Sequence, residues 1–348
     1  MKKTLIALAV LGAAAGVAHA QSNVTIYGIV DTGYIKETGS DTRMGANNES
    51  RIGFRGTEDL GGGLKATFEL EKRLTLNNGA NSNAYNAYDT LNSAGNPDWK
   101  GAANVGLAGN AWGAVRLGRV NNLGIESYRK IDPFNHYSVG AALSATGNVL
   151  YSEQLSNTVR YDSPTWSGFS FGLSYTTAHD DHNSAYYRAI GNHGWNINLQ
   201  YDNGPLLLLG NYYRLADSNN SDVWNLGAAY KFGAVRISLG YQNTDIDIAA
   251  PIKLKQKEAI AGLQWDIGPG QLNASYNYAK VDLKGTSYDG KAHKYALGYT
   301  YNLSKRTAVY GIVSYLDSDD AIIGALYSTN GVARDSTTGV QIGITHKF

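Results

Sequence analysis

Apolar and polar residues alternate along most of the chain, most clearly in VWNLGAAYKFGAVRISLGYQ, residues 223–242. On both sides of a tight turn at 231–234, the apolar residues fall on one face and the polar or small residues on the other. A period of two is typical of a β-hairpin with one buried face. The pattern leaves open whether that face contacts a protein core or lipid, because sandwiches and membrane barrels share it.

The same alternation predicts about sixteen strands, joined by connections of two kinds that alternate strictly. An up-and-down barrel with short turns at one rim and long loops at the other has this order, whereas a Greek-key sandwich does not require it. The short turns are at 59–63, 108–113, 162–168, 202–205, 231–234, 266–270 and 302–306. The longer polar connections are at about 35–49, 75–100, 120–156, 177–193, 214–222, 245–257, 281–293 and 318–336.

The composition of the strands favours a membrane. Strands of about 9–11 residues cross the hydrocarbon layer when tilted. Aliphatic residues occupy strand centres and tyrosines the ends, as in Tyr295, Leu297 and Tyr301, and tyrosine prefers the membrane boundary. Since lipid requires every backbone group to be paired, the sequence predicts an all-β transmembrane up-and-down antiparallel β-barrel.

Two stretches do not fit this pattern. Residues 307–317, TAVYGIVSYLD, are apolar on both faces, and residues 206–210, LLLLG, give no alternation. Contact with a loop or with a neighbouring subunit is the account that the sequence offers for such strands.

The amino terminus reads as a secretory signal peptide. Lys2 and Lys3 precede an apolar run that ends at Ala18-His19-Ala20, a small-x-small cleavage site. We therefore expect a cleaved signal at 1–20 and a mature barrel at 21–348. Removing the two lysines takes the formal net charge from +1 to about −1, so there is no electrostatic case for nucleic acid. The chain has no cysteine, so stability must come from backbone pairing and packing.

Several motifs resemble the general porins of Gram-negative bacteria, in their neisserial and burkholderial branch: NVTIYGIVDTG (23–33), ESRIGFRGTEDLGGGLKATFELE (49–71), WGAVRLGR (112–119), NTVRYDSPTWSGFSFGLSY (157–175) and the terminal GITHKF. The resemblance implies a homotrimer in the cell outer membrane, each subunit a water-filled pore narrowed by its third long loop. It also implies that Phe348 is the signal read by the outer-membrane assembly machinery, and that outer-membrane lipid and lipopolysaccharide surround the trimer.

A pore follows from the residues as well. A barrel of about sixteen strands is too wide for side chains to fill, so its polar lumen should hold water. The connection at 120–156 is the longest, and a loop of more than about 15 residues in a compact fold calls for a functional reason. We expect it to be the constriction loop.

Strand parity points a set of charged side chains into the lumen, because a charge at mid-bilayer on the lipid face would cost about 2–4 kcal/mol. Some of them would pair as salt bridges along the wall. These predicted wall residues are Arg51, Arg55, Lys65, Glu69, Glu71, Arg73, Arg116 and Arg160.

The resemblance also implies a basic cluster on the wall opposite acids on the third loop. Arg51 matches the first wall arginine, but the second falls on Gly101, beside Lys100, which weakens any expectation of strong anion preference. The loop acids would be Asp132, in a variant of the family's tip motif, with Glu126 and Glu153; alternatively, they are simply solvated. Opposed charges across the gap would give a transverse field and weak charge selectivity.

We therefore expect a general diffusion porin that passes ions and small hydrophilic solutes without enzymatic activity or cofactor. A channel preferring a sugar or organic anion is the nearest alternative; a sugar channel would need an aromatic track, for which Tyr27, Tyr137 and Tyr213 are the candidates. A surface adhesin or structural protein is the third. His179–His182 (HDDH) with His193 could hold a divalent cation, although a polar loop gives such clusters by chance, and no metal is expected.

Overall fold

The computed structural model describes residues 23–81, 98–142, 153–177, 193–215, 221–249 and 252–348, which form one antiparallel sheet. The predicted signal peptide lies outside these residues. The strands are β1 (Asn23–Glu37), β2 (Arg43–Gly45), β3 (Ser50–Gly61), β4 (Leu64–Leu74), β5 (Ala102–Gly109), β6 (Gly113–Asn121), β7 (Gln154–Asp162), β8 (Phe169–Thr176), β9 (Gly194–Asn203), β10 (Leu206–Arg214), β11 (Asp222–Phe232), β12 (Val235–Ala249), β13 (Ile252–Ile267), β14 (Gly270–Lys284), β15 (Asp289–Asn302), β16 (Thr307–Ser318) and β17 (Ser336–Lys347).

The sheet closes on itself. Each long strand pairs with the next along the chain, and β1 pairs both with β3, from Asn23↔Thr57, and with β17, from Ile29↔Lys347. The three-residue β2 adds beside the upper part of β1. The sixteen long strands thus form a closed antiparallel barrel, which confirms the predicted fold class.

The two faces of the hairpin β11–β12 show where its apolar side points. Leu226 and Leu239 are 56% and 59% exposed, whereas Asn225 and Gln242, on the other face, are 0% and 1% exposed. The apolar residues therefore cover the outside of the ring, and the polar residues face the inside. This arrangement is the reverse of a soluble protein, and it suits a barrel surrounded by lipid.

Strands end at all the predicted short turns, but two of the predicted long connections differ. Strands β12, β13, β14 and β15 run for 15, 16, 15 and 14 residues, so the regions 245–257 and 281–293 are largely strand. These strands are longer than is needed to cross the hydrocarbon layer. Their outer ends alternate polar residues and carry cross-strand ion pairs, such as Lys253–Asp247 at 2.8 Å.

Two short helices accompany the sheet: α1 (Leu123–Tyr128) after β6 and α2 (Ala321–Tyr327) after β16. Within the described ranges, no helix is long and apolar enough to cross a membrane. The side chains of Ile323 and Tyr327 from α2 join an apolar cluster with Ala292 and Leu316 of the barrel wall.

Segment 122–142, which contains α1, packs against the inward face of the wall, where glycines let it approach closely. A Cβ atom added to Gly240 would lie 2.1 Å from Ile131 Cδ1, and one added to Gly262 would lie 2.7 Å from Pro133 Cγ. Further glycines of the same kind, each with its neighbour in the segment, are Gly172 (Leu123), Gly227 (Ile131), Gly298 (Phe134) and Gly339 (Val139). We call these six positions the glycine track; it explains part of the high glycine content.

The two stretches that did not fit the sequence pattern contact the same segment. Leu207 and Leu209 of β10 form a buried cluster with Tyr128 and Ile131. Ile312, on the inward face of β16, clusters with Phe134 and Val139. Their inward apolar side chains therefore hold segment 122–142, which is the loop contact that the sequence suggested.

Replacing Gly240 by valine should displace segment 122–142. The added side chain would overlap Ile131, and overpacking of this kind costs about 1–3 kcal/mol. We expect a lower thermal unfolding midpoint in detergent and a changed single-channel conductance. Gly311→Val is the matched control, because a Cβ there has no described atom within 4 Å. Equal effects of the two variants would contradict the proposed close approach.

Candidate functional site

Helix α1 begins segment 122–142 and is fixed by its amino-terminal cap. The Asn122 side chain accepts a hydrogen bond from the Gly124 amide at 3.0 Å and another from Asn196 Nδ2 of β9 at 3.0 Å. An asparagine cap satisfies an amide that the helix leaves free. Here the cap also links the helix to the wall.

A first charge cluster joins this helix to β6 and β7. Arg160 Nη1 donates to Glu126 Oε2 at 2.6 Å, and its Nη2 lies 2.7 Å from Asp162 Oδ1. Arg116, directly opposite Arg160 in the register, pairs with Asp162 as well. Two bases therefore face two acids, and Arg160 is only 4% exposed. The predicted wall residue Arg160 and the predicted loop acid Glu126 are brought together.

A second cluster lies where β4 and β5 meet the residue before β3. Arg73 pairs with Glu49 at 2.9 Å and with Glu71 at 2.7 Å, and Lys100 reaches Glu49 at 3.3 Å. A Cβ atom on Gly101 would lie 2.2 Å from Glu71 Oε1, so this position leaves room for the Glu71–Arg73 pair. At position 101, where the resemblance implies a wall arginine, the Glu71–Arg73 ion pair therefore occupies the space that a side chain would need.

The other end of segment 122–142 carries a third group. Arg129 pairs with Glu153 and lies 4.6 Å from the centre of the Tyr137 ring, and Tyr137 donates to Glu153 Oε2 at 2.8 Å. Burial, followed by the nearby Glu153 charge, raises the pKa of Tyr137 to about 12, which keeps its hydroxyl a donor. Glu153 is thus neither solvated nor unpaired.

Asp132 organises the tip of the segment. Its carboxylate accepts from the amides of Phe134, His136 and Ala142 at 2.9, 3.0 and 3.0 Å. Asn135 and His136 have φ of 53° and 64°, in the left-handed region that costs energy for residues other than glycine. These hydrogen bonds hold that strained turn. Because the Asp132 side chain is 0% exposed, its carboxylate faces the loop backbone rather than open water.

The remaining predicted wall residues follow β3 and β4 from Arg51, directly opposite Arg73, to Lys65 at the short turn. Arg51 Nε donates to the Glu49 carbonyl at 3.0 Å, and Arg55 lies 5.1 Å from the centre of the Tyr27 ring. Glu69 accepts from Tyr27 at 2.8 Å. Lys65 is half-buried, opposite Asp59 near the short turn. Within the described residues, Arg51, Arg55 and Lys65 have no ion pair.

The other candidates are dispersed. Tyr27 is tied to Glu69, Tyr137 to Glu153, and Tyr213 is 1% exposed in an apolar cluster, so these three do not form a continuous track. His179–His182 lie outside the described residues. Phe348 closes the ring: its amide and carbonyl both pair with Gly28, at 3.1 and 3.0 Å.

These observations describe a closed barrel with its apolar face outward and a charged segment packed on its inner wall. A family model described as Gram-negative porin matches residues 7–321. The chain belongs to the Gram-negative porin family.

Individual relatives agree with this assignment. This porin is 36% identical over 379 residues to outer membrane porin protein 32 of Delftia acidovorans, with 100% of both chains covered. It is 31% identical over 412 residues to an outer membrane porin protein of Bordetella pertussis, again with 100% of both covered. The solved anion-selective porin from Comamonas acidovorans is 30% identical, with a TM-score of 0.73 over 94% of this chain and 100% of that one. The porin is therefore an outer-membrane protein.

Sequence reasoning missed two basic residues of this porin at the segment. Lys130 Nζ lies 2.5 Å from Gln200 Oε1, and Arg236 donates to Gln264 at 2.8 Å and to the Lys130 carbonyl at 2.7 Å. Arg236 stands in the same hairpin that alternates most clearly, on its polar face. Parity could have assigned it to the lumen, but parity could not show that the loop reaches it.

Asp132→Asn should loosen the segment with little effect on ion selectivity. Hydrogen bonds to a charged acceptor contribute about 1.5–3 kcal/mol each, and the amide would keep fewer and weaker ones. We expect faster tryptic cleavage after Arg129 or Lys130 and noisier channel current, with an almost unchanged reversal potential because the carboxylate is buried. The control is Asp98→Asn, which neutralises a 71% exposed acid. A large shift in reversal potential for Asp132→Asn would show that its charge faces the pore.

Acid should unseat the segment through His136. Burial lowers the pKa of His136 to about 4, although Asp132 opposes the shift. A free histidine has a pKa of about 6.5. Below that pH, His136 binds a proton when segment 122–142 is released from the wall, but stays neutral while the segment is packed against it. The free energy that seats the segment should be constant above about pH 6.5 and fall by up to about 1.4 kcal/mol per pH unit down to about pH 4.

Channel closures recorded between pH 7 and pH 4.5 test this pH dependence. We expect them to become more frequent below pH 6.5, and His136→Gln should remove most of the change. An identical pH dependence in the variant would assign the effect to other groups.

Proposed function

We propose that this porin is a general diffusion channel, a water-filled pore for the passive passage of ions and small hydrophilic solutes, without catalysis or cofactor. The third long loop, about 120–156, would fold into the lumen as its constriction. The contacts of Ile131, Pro133 and Phe134 with the inward face of the wall support this role. A cavity of about 600 Å³, lined by Glu49, Lys100 and residues of β1, α2 and the loop, supports an open path beside the segment.

The proposed selectivity is a weak preference for anions. It is supported by the difference between the loop acids, which have partners, and the inward-facing bases, several of which have no ion pair. The predicted loop acids are all engaged: Glu126 by Arg160, Glu153 by Arg129, and Asp132 by backbone amides. Among the described residues, a larger set of inward-facing bases has no ion pair: Arg51, Arg55, Lys65, Lys130 and Arg236.

The charges that remain after pairing set the field that a passing ion meets, because close opposite charges largely cancel. Among the described residues, Lys294 is a sixth inward-facing base without an ion pair. The inward-facing acids without one are Asp31, Asp59, Glu69, Asp202 and Glu258, so the excess of positive charge is small. The anion selectivity named for the Comamonas acidovorans relative agrees with this sign.

The other expectations belong to the same proposal. The signal at 1–20 would be cleaved, the mature chain would assemble as a homotrimer, and Phe348 would be read by the assembly machinery. The outer face would contact outer-membrane lipid and lipopolysaccharide, in keeping with its exposed leucines and tyrosines.

Neutralising Arg51 and Arg55 together, as Arg51→Gln and Arg55→Gln, should shift the reversal potential of the reconstituted channel toward cations in a salt gradient. The shift should shrink near 1 M salt, where the Debye length is about 3 Å. The control is Lys253→Gln with Lys255→Gln, which removes two charges from the outward face. An unchanged reversal potential, or an equal shift in the control, would contradict the proposed role of the unpaired wall arginines.

A further inference from the structure

Three lysines stand side by side on the outer face of the barrel. Lys257 of β13 is directly opposite Lys280 of β14, and Lys280 is directly opposite Lys291 of β15. All three are exposed, and their buried sequence neighbours, such as Glu258 and Ala279, point to the inside. We call these residues the lysine row.

The lysine row is unfavourable for the isolated protein. Side chains directly opposite on neighbouring strands have Cβ atoms about 4.5–5.5 Å apart, and like charges there are destabilising. Within the described residues, none of the three lysines has an ion pair. An unbalanced row of this kind indicates that its counter-charge comes from outside the chain.

Lysines of the same strands one or two levels further out are balanced. Lys253 pairs with Asp247 at 2.8 Å, Lys255 with Asp245 at 2.8 Å, and Lys284 with Asp282 at 2.5 Å. The absence of ion pairs in the row is therefore not a general property of this rim, and the outer lysines provide a matched comparison.

The aromatic residues just below the row fix its depth. Tyr278 is directly opposite His293, and one level further in Tyr276 is opposite Tyr295. Their rings form one cluster, with Tyr276 and Tyr295 centred 5.1 Å apart and a hydrogen bond of 2.9 Å between Tyr276 and His293. Tyrosines cluster where headgroups meet acyl chains, and one further level on a strand is about 6.6–6.8 Å. The row thus lies at the level of the headgroups.

The surroundings leave the row open on its membrane side. The level outside it carries Asp282 and Asp289. On the β16 side, Asp319 lies beside Lys291, with its carboxylate accepting from the Lys291 amide at 3.1 Å, and Asp317 stands opposite His293 on the level beneath the row. Directly beneath the row lie Ala259 and Tyr278, which are uncharged. An anion therefore reaches the ammonium groups of the row from the lipid, on the side of Lys257 and Lys280, rather than from above.

We propose that the lysine row binds the phosphorylated headgroup of an outer-leaflet glycolipid, lipopolysaccharide. The row lies at the rim of the longer connections, which in such barrels is extracellular, and the phosphates of that leaflet belong to this lipid. Ammonium groups bind phosphate as point charges, and basic residues near an anionic membrane surface each contribute to the affinity. This site rests on the proposed contact with lipopolysaccharide and gives it a location; it does not depend on conduction.

The test measures binding of bis-phosphorylated lipid A to the delipidated, folded protein in detergent by native mass spectrometry. The row variant is K257Q/K280Q/K291Q, and the matched control is K253Q/K255Q/K284Q, which removes the same charge. We expect the row variant to lose roughly tenfold to a hundredfold in affinity and the control less than about threefold. Wild-type protein should bind dephosphorylated lipid A as weakly as the row variant binds the phosphorylated form.

Unchanged binding by the row variant, or equal losses in both variants, would overturn the site while leaving lipopolysaccharide contact in place. Equal affinity for phosphorylated and dephosphorylated lipid A would overturn phosphate recognition. No binding by the wild-type protein would overturn both the site and the proposed contact. Retained conductance of the row variant in planar bilayers shows that it is folded. If the row variant does not fold, Lys280→Gln alone replaces it, with an expected loss of at least about threefold in affinity for phosphorylated lipid A.

Discussion

Every backbone amide and carbonyl inside a membrane must find a partner within the protein, because hydrocarbon offers none. The pairing of β1 with both β3 and β17 meets that demand by leaving no free strand edge. A ring of sixteen strands is then wider than its own side chains can fill. The third long loop, folded into the lumen as proposed, would fill part of that excess width, and the glycine track and the charge clusters are where segment 122–142 contacts the wall.

Apolar contacts and ion pairs hold different parts of segment 122–142. Its tip is held by apolar side chains in the glycine track and by hydrogen bonds such as Ser238 Oγ to the Ile131 carbonyl at 2.6 Å. Its first helix is held by the Arg160–Glu126 pair and its far end by Arg129–Glu153. The acids that anchor the segment are matched by bases, whereas the unpaired bases Lys130 and Arg236 join the segment to the wall through neutral oxygen atoms.

Much of the fold was predictable because each strand and turn of a membrane barrel has a recognisable local sequence pattern. Period-two alternation gave the strands, and the turn residues gave the short connections. The extent of β12–β15 was not predictable, because polar alternation above the membrane looks like a polar loop until the cross-strand pairs are known. The ambiguous stretches 206–210 and 307–317 were informative: residues apolar on both faces mark where something packs inside the barrel.

The charged site was predictable only in part. Parity could assign Arg51, Arg116 and Arg160 to the inner face, because it depends on one strand at a time. It could not show that Arg160 meets Glu126 or that Asp132 turns toward backbone amides, because those contacts depend on the path of a loop with no period. Glu49 and Lys130 were missed for the same reason.

The way the tip is seated separates two properties of the channel that are usually discussed together. Apolar contacts hold the tip, and salt does not screen them, so the aperture should keep its size from fresh water to brine. The field from the unpaired bases weakens over the same range. In the proposed channel, sieving by size and selection by charge would therefore depend on different atoms, and mutation would alter one while leaving the other unchanged.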